Sequence, residues 1–138
     1  MATKIRFKRI GRRNRPFYRL IVIDSRKRRD GAPIEQLGWY DPIKTDKDSN
    51  FNFNEERIIH WLKKGAQTSD PVNKLMKRSG LAYRWHLIKQ GLPESEIEKA
   101  LEKWKEERAK IVEDRKKAKI ERKAKKKEEK AAKEVVEE

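Results

Sequence analysis

The pattern of apolar and polar positions near the N-terminus predicts β-strands. Close to the start, Ile5 and Phe7 alternate with cationic residues, so one strand face would be buried and the other positively charged. The later run Leu20–Ile23 is continuously apolar, which is typical of a strand covered on both faces. Residues rich in Gly, Pro, Asn and Asp separate these segments from two further alternating ones. The predicted strands cover residues 3–10, 17–23, 34–40 and 51–53.

Apolar residues at helical spacing follow the strands. Asn54 is placed to cap a first helix, and Gly65 suits the residue after its end. Asp70 and Pro71 are predicted as the cap and first residue of a second helix, which Gly80 ends. Strands followed by helices predict an α+β fold, with a small sheet of about four to five strands and two helices packed against it.

The chain changes character after the second helix. Residues 81–92 are rich in large apolar side chains, so we expect them to pack on their own domain or on a partner. From Pro93 apolar residues recur at helical spacing as far as Val112, beyond which Lys, Glu and Ala dominate. We therefore predict a domain at residues 1–80 and an extension at residues 81–138, a long charged helix or tail that ends in disorder.

Charge is distributed unevenly over the 138 residues, which hold 38 Lys and Arg against 23 Asp and Glu, for a net charge of +15. Residues 1–29 contain twelve cations and a single acid, Asp24, whereas residues 94–138 are nearly neutral. The twelve cations are called the N-terminal basic cluster below. They are Lys4, Arg6, Lys8, Arg9, Arg12, Arg13, Arg15, Arg19, Arg26, Lys27, Arg28 and Arg29.

A cluster of this density favours a nucleic-acid partner. Phosphates attract Lys and Arg through counterion release, and arginine, which predominates here, binds phosphate through two hydrogen bonds and also stacks on bases. A merely solvated face would mix charge signs, whereas this cluster repels itself unless an anion compensates it. The cations fall on a predicted strand and loops rather than on a recognition helix, which favours folded RNA and leaves DNA as the alternative.

The sequence offers little support for other classes of function. It has no cysteine, and its two histidines, His60 and His86, are not spaced for a metal. No catalytic motif occurs, so we expect no enzyme, cofactor or small-molecule substrate, with a nuclease as the remaining enzymatic alternative. No apolar run could cross a bilayer and no signal peptide is evident, so we expect an intracellular, soluble protein with no membrane partner.

Short motifs occur in order along residues 1–80. They are Ile5-Arg6 with Arg9 and Gly11, Arg15-Pro16-Phe17-Tyr18, Asp24-Ser25-Arg26, Arg29-Asp30-Gly31, Ile34-Glu35, Leu37-Gly38-Trp39-Tyr40-Asp41-Pro42, Arg57-Ile58, Trp61, Gly65-Ala66 and Ser69-Asp70. In this order the motifs resemble bacterial small-subunit ribosomal proteins of the S16 family. Short members of that family end near the second helix, so the resemblance says little about residues 81–138.

The resemblance implies a structural protein of the cytoplasmic ribosome, without catalytic activity. It implies binding to small-subunit ribosomal RNA, stabilisation of its fold during assembly and translation, and contact with neighbouring ribosomal proteins. The RNA contacts that it implies are Arg6, Arg9, Arg12, Arg13, Arg15, Arg26 and Arg29. Phe17 and Tyr18 adjoin a basic loop and are candidates for stacking on bases, whereas Trp39, Tyr40 and Trp61 are predicted to be core residues.

The extension leaves two alternatives open. Its mixed charge argues against a simple phosphate-binding tail, although Lys123 and Lys125–Lys127 remain candidates for local RNA contacts. Tyr83–Leu92 is either a docking segment for a neighbouring protein or a stretch that packs on its own domain.

Overall fold

The computed structural model describes residues 2–46 and 49–136, with side chains described through residue 129. Contacts divide the chain into a first compact unit that ends at Gln90 and a second that begins at Gly91. The second unit contains α4 (Glu94–Val136). The elements of the first unit are β1 (Thr3–Arg12), β2 (Arg15–Asp24), β3 (Glu35–Tyr40), β4 (Phe51–Phe53), α1 (Glu55–Lys63), β5 (Gln67–Thr68), α2 (Asp70–Ser79) and α3 (Leu81–Lys89).

The five strands form one sheet in the order β4-β3-β2-β1-β5. Neighbouring strands from β4 to β1 are antiparallel, and β5 pairs with β1 in parallel. A register shift between Leu20 and Ile21 marks a bulge where β2 meets β3. This arrangement confirms the predicted α+β fold.

The core lies between one face of the sheet and the helices. Ile5, Leu20 and Val22 from the central strands meet Ile58 of α1 and Val72 of α2, and all five are fully buried. The alternation of apolar residues in β1 and the helical spacing in α1 and α2 put these side chains on facing surfaces. The hydrophobic pattern thus fixes which face of the sheet the helices cover.

The opposite face of the sheet is partly covered by the segment that links β2 to β3. Ile21 and Ile23 point to this face and are 1% and 0% exposed. Ile34 N–H donates to the Val22 carbonyl at 2.8 Å, and a methyl placed on Gly31 would lie 3.6 Å from Ile23 Cδ1. The linking segment therefore folds back over β2, which explains why residues 20–23 are apolar without interruption.

Helix caps follow the sequence closely, with one correction. The Asn54 side chain accepts from Arg57 N–H at 3.2 Å and caps α1, as predicted, and Gly80 ends α2 with φ 87°. The prediction that Asp70 caps α2 was wrong by one residue. Ser69 holds the cap position, and Asp70 begins the helix, where its carboxylate faces the positive end of the helix dipole.

Two elements were not predicted from the sequence. The short strand β5 pairs Gln67 with Lys4, and two residues are too few to show a period. The apolar stretch after α2 forms a helix of its own, α3, and Leu81 at its start belongs to the core cluster. Contacts therefore group α3 with the first unit, whereas the predicted division at residue 80 assigned it to the extension.

In the second unit, α4 is helical over 43 residues. Every described side chain from residue 109 to residue 129 is exposed. Burial of side chains therefore does not stabilise α4 along that stretch, and the helix there depends on solvent or on another molecule.

Candidate nucleic-acid interface

A tight hairpin between β1 and β2 carries the densest part of the N-terminal basic cluster. Gly11 adopts φ 101° and Asn14 adopts φ 63°, values that glycine and asparagine accept most readily. A side chain at position 11 would also lie 2.5 Å from the Arg15 carbonyl oxygen. The sequence predicted a loop over residues 11–16, but pairing continues to Arg12 and Arg15 and leaves only two residues in the turn.

The register of this hairpin places like charges opposite each other. Arg12 pairs with Arg15 and Lys8 pairs with Arg19 across the two strands. Like charges directly opposite each other in a sheet are destabilising. The six cations that alternation assigns to the face opposite α1 and α2 are Lys4, Arg6, Lys8, Arg12, Arg15 and Arg19.

The cations of the following loop are brought to the same face by hydrogen bonds from β1. Arg6 Nη2 donates to the carbonyls of Lys27 and Arg28 at 2.5 and 2.7 Å. Lys8 Nζ donates to the Gly31 carbonyl at 3.4 Å. These bonds hold the Arg26–Arg29 loop against the sheet, so two basic segments that are separate in sequence form one surface. Arg6 and Lys8 are therefore partly buried, and their role is to hold the loop in place.

The one acid within the first 29 residues also shapes the loop. Asp24 Oδ1 accepts from Arg26 N–H at 2.9 Å, and the Asp24 carbonyl accepts from Lys27 N–H at 3.1 Å. Such a turn lets the aspartate side chain satisfy backbone donors. The Asp24 carboxylate thus binds the backbone, and it forms no ion pair with the arginines that the structure describes.

Most of the N-terminal basic cluster is exposed and uncompensated. Arg9, Arg12, Arg13, Arg15 and Arg19 are all exposed, as are the four cations of the loop. Within the described residues, Arg29 alone of the twelve makes an ion pair, at 3.4 Å to the exposed Asp30. Arg9 stands apart from most of the others, because its register position opposite Tyr18 assigns it to the helix-covered face of the sheet.

The structure separates the two predicted base-stacking candidates. Phe17 stacks on Trp39, with ring centroids 5.8 Å apart and an interplanar angle of 23°, on the face that carries the cations. Tyr18 lies on the other face, where it contacts Phe7 and Tyr40. All five rings are partly exposed, so Trp39 and Tyr40, which were predicted as core residues, each keep an accessible surface.

Two side chains at this surface were missed as candidates. Trp39 was predicted to be core, yet its stacking partner and its strand face place it beside the basic residues. Lys44 lies over the Trp39 ring at 5.2 Å from the centroid and adds a cation from the segment after β3. Arg19 pairs with Trp39 across β2 and β3, and this pairing brings Trp39 beside the basic residues. Because the contact joins two strands, the spacing of residues within either strand does not reveal it.

A partly exposed ion pair between Arg57 and Glu35 joins α1 to β3. Arg57 Nε and Nη2 each donate to Glu35 at 2.7 Å, and Trp61 Nε1 donates to the same carboxylate at 2.7 Å. The hydrogen bonds from Arg57, aided by the one from Trp61 and by the Arg57 charge, lower the pKa of Glu35 to about 2. Trp61 therefore has a bracing role between α1 and β3.

The described part of the chain offers neither a metal site nor a membrane-spanning helix. Within residues 2–46 and 49–136, no group of three or more His, Cys, Asp or Glu side chains is arranged to hold a metal ion. Across the same residues no helix is long and apolar enough to cross a membrane.

Comparison with known proteins supports the resemblance seen in the motifs. Residues 9–69 match the family described as Ribosomal protein S16. A protein of Thermotoga neapolitana named "Small ribosomal subunit protein bS16" is 48% identical over 91 residues, which cover 66% of this chain and 93% of that protein. Proteins of the same name from Thermotoga petrophila and Pseudothermotoga lettingae are 47% and 43% identical, covering 93% and 95% of their lengths.

The chain belongs to the ribosomal protein S16 family. The matched length of the relatives decides this, since each is covered almost completely. The identification made from the spaced motifs is thereby confirmed, as is the prediction that this ribosomal protein is not an enzyme. About a third of the chain lies outside the alignments with these relatives.

Proposed function

We propose that this S16-family protein is a structural component of the small ribosomal subunit in the cytoplasm and binds ribosomal RNA through the N-terminal basic cluster. In this role it stabilises the folded RNA during assembly and translation and lies beside neighbouring subunit proteins. The relatives' shared name, with its reference to the small ribosomal subunit, supports the location. The observation that carries the RNA-binding role is the uncompensated charge of the sheet face and the loop.

The charge arrangement requires an anionic partner. Arg12 and Arg15 are held opposite each other, and the described residues provide no carboxylate to either. Pairs of like charges lower the stability of the free protein, because the two cations repel each other. Bound phosphates would convert this repulsion into attraction between each cation and the anion. Arginine also provides a planar pair of donors that matches phosphate oxygens.

The shape of the surface favours folded RNA over an extended strand. The hairpin tip lies at the end of β1 and β2, where Gly11 and Asn14 shape the turn with their positive φ angles, and the Arg6 hydrogen bonds hold the Arg26–Arg29 loop against the same sheet. A preformed, spread array of cations suits an RNA surface recognised by shape, phosphates and sugar hydroxyls. Phe17 and Trp39, partly exposed beside the cations, offer an aromatic face to an unpaired base.

The test is binding of the full-length protein to folded small-subunit ribosomal RNA at several salt concentrations. The variant combines Arg12→Ala, Arg13→Ala and Arg15→Ala, which removes three exposed cations at the hairpin tip. The slope of log affinity against log salt should become shallower by about one for each phosphate that the variant no longer neutralises. We expect a decrease of about two to three in the slope and at least about tenfold weaker binding at ~100 mM salt.

The matched control is the triple variant Lys63→Ala, Lys64→Ala and Lys77→Ala, which removes the same charge from exposed positions at the ends of α1 and α2. Circular dichroism should show both variants folded. Equal weakening by both variants would mean that only net charge matters, and tighter binding to duplex DNA than to the RNA would contradict the proposed partner.

A further inference from the structure

The near-neutral charge of the extension hides a strong internal segregation. Residues 115–127 of α4 hold nine cations and one acid, Glu121. Acids outnumber cations both in residues 94–114 and in residues 128–138. The two acidic stretches therefore cancel the central charge in a sum over the whole extension, but they do not neutralise it locally.

Within this segment four cations lie along one line of the helix. Arg115, Lys119, Arg122 and Lys126 are spaced by four, three and four residues. This spacing keeps them on one face, with steps of about 4.5–6 Å along an axis of roughly 16 Å. Trp104 and Ile111 lie on the same face of the helix, nearer its N-terminus. This face therefore changes from apolar residues to cations after Val112. We call these four residues the α4 basic stripe.

The α4 basic stripe is exposed and has no partner among the described side chains. All four residues are exposed, and within residues 115–127 no two described side chains form an ion pair. Like charges at a spacing of three or four residues weaken an isolated helix by roughly 0.2–0.5 kcal/mol per pair. A continuous helix here is therefore stabilised when an anion lies along the stripe.

We propose that the α4 basic stripe is a second RNA-binding element, which lies along the phosphate backbone of an RNA duplex. A row of cations on one face of a helix matches a polyanion, and recognition of duplex RNA depends on backbone charge and shape. A protein partner fits less well, because protein interfaces depend on apolar and aromatic anchors and are poor in lysine. Within residues 115–127, Ala118 lies about 70° around the helix from the centre of the stripe, and Ile120 and Ala124 lie on the far side, so the stripe itself contains no apolar anchor.

The inference rests on the proposed function only in the nature of the partner, and it is tested at different residues. The full-length stripe variant combines Arg115→Gln, Lys119→Gln, Arg122→Gln and Lys126→Gln, since Gln keeps a similar helix propensity. The matched control combines Lys99→Gln, Lys103→Gln, Lys105→Gln and Lys110→Gln, which removes equal charge from the acidic half of the same helix. Circular dichroism confirms equal helix content before binding is measured.

The probe is a mixed-sequence RNA duplex of about two helical turns, titrated at several salt concentrations. We expect the stripe variant to bind about tenfold more weakly at ~100 mM salt, with a slope shallower by about three to four. The control should change affinity by less than about threefold. Equal weakening by the two variants would overturn the inference, because the position of the charges would then be irrelevant.

The outcomes separate this inference from the proposed function. Wild-type RNA binding by the stripe variant, together with weak binding by the Arg12, Arg13 and Arg15 variant, would reject the stripe alone. Wild-type binding by the hairpin variant and weak binding by the stripe variant would reject the hairpin surface alone. A stripe variant with normal RNA affinity but reduced incorporation into small subunits would assign α4 to a protein partner and overturn the inference.

Discussion

Glu35 joins the start of β3 to α1 through a single carboxylate. It lies at the start of β3, directly after the loop that carries Arg26–Arg29, and it receives three hydrogen bonds from Arg57 and Trp61 of α1. Its side chain is 26% exposed, so water competes only partly for these bonds. The sequence predicted Arg57 and Trp61 on a helix, but nothing in their spacing indicated that both would donate to one carboxylate on a strand.

Protonation of Glu35 should destabilise the first unit. The pKa of Glu35 is lowered from 4.5 to about 2, so the charged form stabilises the folded state above pH 4.5. This contribution is lost as the pH falls from about 4.5 towards 2. Glu35→Gln should therefore lower the free energy of unfolding by about 1–3 kcal/mol at pH 7. The difference from wild type should narrow when urea unfolding is repeated at pH 4 and pH 3.

Glu56→Gln is the matched control, because Glu56 is an exposed acid of α1, the helix that carries Arg57 and Trp61, and it has no hydrogen-bond or ion-pair partner among the described residues. It should change stability by less than about 0.5 kcal/mol. A Glu35→Gln penalty that stays constant between pH 7 and pH 3 would show that folding does not lower the pKa of Glu35.

Gly38 is required by the close approach of β3 and β4. A methyl placed on it would lie 2.0 Å from the Asn52 carbonyl oxygen, which is backbone and has no easy way to move aside. Gly38→Ala should therefore separate the two strands and lower the free energy of unfolding by about 1–3 kcal/mol, as overpacking does elsewhere. Chemical denaturation measures this loss, and unchanged stability would mean that β4 shifts without cost.

At the level of elements, the β1–β2 hairpin and the loop after β2 act together through Arg6. Replacing Arg6 by Met keeps much of the side-chain bulk but removes the donors to the Lys27 and Arg28 carbonyls. The loop should then open more often, so the Gly31 amide, which donates to Arg28 at 3.0 Å, should exchange hydrogen faster. Hydrogen exchange followed by NMR measures this directly.

Arg19→Met provides the comparison, since the Arg19 side chain lies on the same sheet face, is exposed, and makes no hydrogen bond within the described part of the chain. It removes the same charge and should leave Gly31 exchange unchanged. Faster exchange in both variants would attribute the loop's order to charge balance rather than to the Arg6 hydrogen bonds.

The sequence predicted those strands and helices that have a hydrophobic period or a capping residue within the segment itself. The strand around Ile5, the cap at Asn54 and the stop at Gly80 all have local signals, and all are present. The two-residue β5 and the fold-back of the Arg26–Arg29 loop depend on partners distant in the chain, so no local pattern encodes them. The sequence alone identifies the twelve cations. It does not reveal that Arg6 and Lys8 hold the loop while most of the others are exposed, because that division depends on the pairing of β1 with β2 and on contacts with the loop.

At the level of the whole molecule, a net charge of +15 is concentrated where the described structure offers little compensation. Repulsion within the N-terminal basic cluster should therefore weaken the free protein at low salt, and screening should relieve it. Raising NaCl from about 20 to 300 mM should therefore increase the melting temperature by several degrees. For a unit of this size, a gain of about 1 kcal/mol in the free energy of unfolding raises the melting temperature by roughly 4–8 °C.

The same salt increase should weaken RNA binding, so stability and affinity are expected to move in opposite directions. The Arg12, Arg13 and Arg15 triple variant should show a smaller salt-dependent rise in melting temperature than wild type. A melting temperature that falls with salt in the wild type would indicate that attractive charge pairs dominate the free protein.

Cross-linking within the small subunit tests the proposed RNA-binding surface most directly. Small subunits that contain this protein are irradiated with ultraviolet light, and RNA-linked peptides are identified by mass spectrometry. Cross-links should concentrate in residues 9–19 and 25–29, with Phe17 among the linked side chains. Absence of cross-links from both segments, with efficient cross-linking elsewhere in the first unit, would contradict RNA binding through the N-terminal basic cluster.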